Sequence, residues 1–332
     1  MLNKIKYILV TWVVLGVTTS GFAQTKSQTK DTLSIEKQQQ FLYYFYEAQR
    51  LIQKEEVLPA WELMQFAYEL NPNDAAVNNY MGVFLDAFDC PKEAIKYLER
   101  AFELEPNEYW YQYSTYLLQS GNKKAEKLAI RNLELVAKDN PKDEELHTHL
   151  QKAYIHVQDY KKALALRDKL DTIIGYNTES AMQRYLLNAA LNRLDQAIYE
   201  VERYLEEDPN DQQFQVFRLK LYEETLQPSE KMVPAYLAVL RFDPRNYVLM
   251  NNLAWHLCLL GDLEQAEQFS RTTILAEPSN PVFLDTYAWI LYHKGEYQSA
   301  FIYIQSAMEK VTPEHKKEAL QHYKAILKKL KL

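Results

Sequence analysis

From Phe41 to Thr312 apolar residues recur three and four positions apart rather than in alternation. Leu85 and Phe88 are followed, past a break at Pro91, by Ile95, Leu98, Ala101 and Phe102, the spacing of one face of an α-helix. The pattern then copies itself. NNLAWHLCLLGDLEQAEQFSRTTILAEP (Asn251–Pro278) and LDTYAWILYHKGEYQSAFIYIQSAMEKV (Leu284–Val311) come into register at an offset of 34 residues. Ala254 then falls on Ala288, Trp255 on Trp289, Leu257 on Leu291, Gly261 on Gly295 and Ala266 on Ala300. A fixed period of this length, holding two apolar-periodic stretches, predicts a repeated helix–turn–helix unit and an all-α chain.

Two independent marks carry the register backwards. The prolines Pro72, Pro106, Pro141, Pro209, Pro244, Pro278 and Pro313 are 34 or 35 residues apart, with one gap of 68 in which Gly175 takes the missing place. The alanines Ala60, Ala94, Ala129, Ala163, Ala197, Ala266 and Ala300 keep the same spacing, with one gap of 69. The units expected are 41–74, 75–108, 110–143, 144–177, 178–211, 213–246, 247–280 and 281–314. Small residues at the eighth position (Ala48, Gly82, Ala254, Ala288) and the alanines of the second helix let the two helices of a unit approach closely. Gly261 and Gly295 suit a left-handed cap after the first helix, and the prolines stop the second.

Units 178–211 and 213–246 are less regular. Tyr185 stands at a small-residue position, Met232 replaces an alanine, and Pro234 predicts a shortened or bent second helix. Both departures read as ordinary drift within a repeat array. Residues 315–332 predict a last amphipathic helix with Ala319, Leu320, Tyr323, Ile326, Leu327 and Leu330 on one face, a cap for the open end of the array.

The start of the chain has another character. Lys4 and Lys6 precede an uncharged, mostly apolar run from Tyr7 to Val17, and Gly21 and Ala23 suit a cleavage site. Residues 1–23 therefore read as a secretory signal peptide, with an uncleaved anchor as the alternative. Residues 24–40 read as a polar linker. No cysteine follows the apolar run, so a lipoprotein anchor is not expected. The expected location is periplasmic or secreted, with no membrane span after cleavage.

Composition narrows the chemistry. The net charge of −7 becomes −9 once Lys4 and Lys6 leave with the leader (−7 − 2 = −9), and no basic block lies in the body. A nucleic-acid partner is not expected. Cys90 and Cys258 lie five units apart and are not expected to pair. His147, His149 and His156 have no carboxylate or thiolate fixed beside them and read as solvated or groove-lining rather than metal-binding. No motif for nucleotide, metal or acyl-transfer chemistry is present, so no catalytic residue, metal or cofactor is expected.

From Phe41 to Thr312 the chain resembles the tetratricopeptide repeat family. FLYYFYEAQRLI, LDTIIGYNTESAMQRYLL and FLDTYAWILYHKGEYQSA look like segments of an exported tetratricopeptide protein of the Bacteroidota type. The resemblance implies a right-handed superhelical solenoid of about eight units with a C-terminal capping helix. It also implies a concave groove lined by positions 2, 5, 6, 9, 12 and 13 of each first helix. Groove residues would then include Asn251, Asn252, Trp255, Asp285, Trp289, Tyr292 and His293 near the end of the chain, and Tyr46, Asn79 and Tyr80 near its start. Rings supply contact area and amides pin a peptide backbone. Trp255 and Trp289 can instead pack between neighbouring helices. Asn78, Asn79, Asn251 and Asn252 lack the basic residues with which one subclass of the family clamps a terminal carboxylate. The function expected is a non-enzymatic scaffold in the cell envelope, binding an envelope protein or peptide segment through the groove. The alternative is a glycan- or peptidoglycan-binding component of an export or assembly system.

Overall fold

The computed structural model describes residues 33–331. Among these the regular structure is seventeen α-helices, with no strand. The chain divides into two compact units at Gly175. The first holds α1 (Ile35–Gln53), α2 (Val57–Leu70), α3 (Ala75–Ala87), α4 (Pro91–Leu104), α5 (Pro106–Gln119), α6 (Lys123–Asp139), α7 (Glu144–His156) and α8 (Tyr160–Ile174). The second begins with α9 (Thr178–Ala190), α10 (Leu194–Glu207), α11 (Gln212–Glu224) and α12 (Ser229–Leu240). It continues with α13 (Tyr247–Leu259), α14 (Leu263–Ala276), α15 (Pro281–Lys294), α16 (Tyr297–Lys310) and α17 (Lys316–Leu330). The proposed signal peptide, 1–23, lies outside the described residues. Part of the stretch read as linker is helical, because α1 opens at Ile35 behind a Ser34 cap whose hydroxyl accepts from the Lys37 N–H.

Each repeat is an odd-numbered helix followed by an even-numbered one. Short polar caps start most of the odd helices. Asp74, Asp143, Asp211, Asn246 and Asn280 each stand two residues after a closing proline and accept a backbone N–H from the first turn. Such a side chain satisfies a donor that the helix leaves open. The third repeat departs from this rule. Pro106 is itself the first residue of α5, where its fixed φ and missing N–H cost nothing, so the helix starts four residues before the expected 110. The turn inside a repeat carries a positive φ at Glu55, Asp89, Gln158, Asn192 and Leu226 as well as at Gly121, Gly261 and Gly295. The turn geometry is therefore common to the repeats, and glycine supplies it in only some of them.

All seven alanines used as register marks are fully buried, at 0% exposure. Met232, in the place of an eighth, is also buried, and α12 with its internal Pro234 is the shortest helix at 12 residues. Gly82 shows why the eighth position is small. A Cβ there would stand 2.6 Å from Leu98 Cγ and 3.2 Å from the Ala94 carbonyl oxygen. Helix propensity favours Gly82→Ala by about 1 kcal/mol, whereas overpacking a buried contact costs about 1–3 kcal/mol. We expect a net loss of about 1 kcal/mol, read as a lower urea midpoint; an unchanged or raised midpoint would mean that α3 and α4 separate easily.

In the first unit one core spans Phe41 to Ala129, with Phe84 fully buried among Trp61 and Phe88. In the second, Phe214 lies under the Tyr204 ring at 4.0 Å, and a further core joins α15, α16 and α17 through Ala288, Ile304 and Ile326. Cys90 and Cys258 are free. No described helix is long and apolar enough to cross a membrane.

Candidate functional site

The residues expected in a groove near the end of the chain do converge within the second unit, and α17 joins them. Asn251, Asn252, Trp255 and Asp285 surround a cavity of about 170 Å³ whose remaining wall includes His315, Glu318 and Ala319 at the start of α17. Asn251 is buried at 4% exposure, so it floors the cavity rather than presenting a surface. Asn252 hydrogen-bonds the Tyr236 hydroxyl, which donates to Glu223 at 2.8 Å. His322 of α17 closes the cluster. Its Nδ1 is 2.9 Å from Asp285 Oδ1, and its ring stacks on Trp289 at 4.0 Å and lies 5.8 Å from Trp255. Trp289 also stacks on Tyr292 at 4.8 Å and meets His293 edge-on at 4.9 Å. Both tryptophans are half-buried. Trp289 packs against Tyr292 and His322 and stays half-buried. The cap expected at the chain end therefore covers much of the surface expected to bind. His293 keeps an exposed edge, and the partial loss of water around its ring holds its pKa below the ordinary histidine value, with His322 adding to the effect.

Tyr46, Asn79 and Tyr80 lie in the first unit. Tyr46 is 60% exposed on α1. Tyr80 accepts a hydrogen bond from Gln49 Nε2 at 3.2 Å and meets Phe45 edge-on, and burial raises its pKa. Asn79 is half-buried, and its side-chain oxygen has no hydrogen-bond partner.

Another concave surface in the first unit lies between α5 and α7. It is a cavity of about 670 Å³ with Tyr111, Thr115, Leu118 and Gln119 on one side and Glu144, Glu145, Thr148, His149, Lys152, Ala153 and His156 on the other. The repeat brings these two helices side by side, since each is the first of its pair. At the centre His149 lies against Tyr111 at 4.8 Å and Trp110 at 5.4 Å. His149 Nε2 is 3.1 Å from Ser114 Oγ and 3.5 Å from Thr115 Oγ1, and Ser114 Oγ is also 3.2 Å from the Tyr111 carbonyl oxygen. Burial, with a smaller push from Lys152, lowers the His149 pKa to about 4. The imidazole is neutral at pH 7 and serves as a polar aromatic surface.

Charge is unevenly placed around this cavity. Glu144 and Glu145 occupy the first turn of α7, where the helix dipole favours carboxylates. Lys152 and His156 stand toward its other end, with His156 Nε2 3.4 Å from Glu126. In the expected unit 110–143 Tyr111 stands at the second position, itself a groove position, but groove residues were named only near the two ends of the chain; counted from Pro106, both Tyr111 and the matching His149 fall at the sixth position of their helices. The signal for the earlier helix start is Pro106 followed by no Asp or Asn two residues on. No group of three or more His, Cys, Asp or Glu side chains among the described residues is placed to hold a metal.

No protein-family profile matches the chain, and no curated protein sequence does either. Solved structures do resemble it. Naa15/Naa10 bound to HypK-THB aligns at 12% identity with a TM-score of 0.58, over 86% of this chain and 47% of the other. The chain thus spans about half the length of that protein. A tetratricopeptide repeat protein from Parabacteroides merdae ATCC 43184 aligns at 12% identity and a TM-score of 0.42, over 87% of this chain and 99% of the other. MamA from Desulfovibrio magneticus RS-1 aligns at 19% identity and a TM-score of 0.42, over 53% and 94%. With the helix pairs, the period and the buried alanines, the fold is that of a tetratricopeptide-type helical repeat.

Proposed function

We propose that the chain is a non-enzymatic scaffold of the cell envelope that holds an extended segment of a protein partner along its odd-numbered helices. The cavity between α5 and α7 carries this reading. It is open to solvent and combines rings, hydroxyls and an amide within about 670 Å³. Rings give a peptide contact area, and fixed polar groups orient its backbone. The structure of Naa15/Naa10 bound to HypK-THB is a protein assembly on a similar fold, which supports the reading at the level of fold. The envelope location rests on the sequence of residues 1–23. The surface around Trp289 is the weaker candidate, because α17 already occupies it.

The test is affinity capture from intact cells, with Thr148→Arg to fill the cavity and Leu135→Arg on exposed α6 as control. We expect one envelope protein to be enriched by the native chain and the control, and to fall at least about tenfold with Thr148→Arg, the loss of a central contact worth about 1.4 kcal/mol or more. Equal enrichment by both variants would remove the cavity from the reading. Binding to a purified oligosaccharide without any protein partner would replace the partner class.

A further inference from the structure

The cavity between α5 and α7 has a direction, and the direction specifies what fits. Glu144 and Glu145 lie at one end and Lys152 at the other, eight residues along α7 from Glu144. At the helical rise this is about 12 Å. An extended chain advances about 3.3 Å per residue and turns alternate side chains to the same face, so residues i, i+2 and i+4 face one way across about 13 Å. The rings and apolar surface of the lining are Tyr111, His149 and Leu118. His149 is uncharged at neutral pH, so nothing central repels either end of a ligand.

Resting on the scaffold reading above, we infer that this cavity selects an extended peptide segment with Lys or Arg at one position, an apolar side chain two residues on, and Asp or Glu four residues on. The cationic residue lies against Glu144 and Glu145, with the Tyr111 ring beside it. The apolar residue meets Leu118 and the His149 ring. The acidic residue reaches Lys152. His156 faces the same end, but Glu126 partners it at 3.4 Å, which leaves Lys152 as the main cation there. Neither Glu144 nor Glu145 is held in an ion pair across the cavity, and both are exposed. A partner of this pattern would therefore complete charges that the fold leaves to solvent.

The test uses the chain from Gln24 onward and blocked, fluorescent peptides of the form Gly-Arg-Ser-Leu-Ser-Glu-Gly, read by polarisation at low salt. We expect the charged peptide to bind about tenfold more tightly than one with Gln at both charged positions, and than one with the charges two residues apart. Glu144→Gln with Glu145→Gln should weaken the charged peptide about fivefold and leave the neutral one unchanged; Lys152→Gln should do the same for the acidic end. These side chains are exposed, so the variants are expected to fold, and a thermal melt checks it. Equal affinity for charged and neutral peptides would overturn the inference and leave the scaffold reading standing. If neither these nor a mixed-sequence peptide pool binds, the inference and the reading beneath it both fall. Displacement of bound peptide by a neutral oligosaccharide, with no effect of the charge variants, would also overturn the inference.

Discussion

Phe84→Ala is expected to destabilise the first unit by about 3–5 kcal/mol, the range for a large aromatic lost from a close-packed core. The side chain is fully buried, with Trp61 at 5.6 Å and Phe88 at 6.2 Å between ring centroids. Its removal forfeits the transfer of a ring from water and leaves a cavity that helices pinned on both sides cannot collapse. Gly82, two residues earlier on α3, already sets a close approach to α4, so inward motion of that helix has little room. Repeat arrays bury their cores between neighbours, so the loss should appear first in α2, α3 and α4. Urea titration of the chain from Gln24 measures the size, and hydrogen exchange of peptides from Val57–Leu104 locates it. A loss below about 1 kcal/mol would mean that Phe84 is not packed as described.

Acidification should destabilise the first unit through His149. Its folded pKa is about 4, against 6.5 for the free side chain, because burial disfavours the charged ring. Between those values the unfolded chain takes up a proton that the folded chain refuses. Stability from this group is therefore fully present above pH 6.5 and is lost as pH falls toward 4, up to about 3 kcal/mol in all. His256 is shifted in the same direction by burial, whereas burial raises the carboxyls of Asp74 and Asp86 and gives these the opposite slope. The measurement is accordingly a difference: urea midpoints of the native chain and of His149→Gln from pH 7.5 to 4.5. The native chain should lose more stability over that range than the variant. Parallel curves would show a ring that titrates in the ordinary range, open to water. The same variant tests whether a neutral polar surface is enough at the centre of the cavity.

Much of the fold was legible in the sequence because a repeat states its rule several times. Prolines and alanines at one period placed the helix pairs, and the alanines proved fully buried. The third repeat was misplaced because Pro106 does double duty, ending one unit and starting α5, where elsewhere a capping Asp or Asn follows the proline. Tyr111 holds a groove position in either count, second from residue 110 and sixth from Pro106. The site was less legible than the fold. Register tells which side of a helix a residue faces and not what lies across from it. Trp289 has groove spacing, and His322, far along the chain, comes to stack on it. Asn251 has groove spacing and is nonetheless buried. A pattern of one helix cannot report a contact made by another.

The scaffold reading is tested most directly by site-specific photocrosslinking in living cells. A photoreactive residue at Thr115 looks into the cavity between α5 and α7, and one at Leu135 lies exposed on α6 outside it. The expected result is a discrete adduct to a single envelope protein from position 115, mapping to one short segment of that protein, and none from position 135. Adducts of equal strength and identity from both positions, or none from position 115 while the partner still co-purifies, would contradict it.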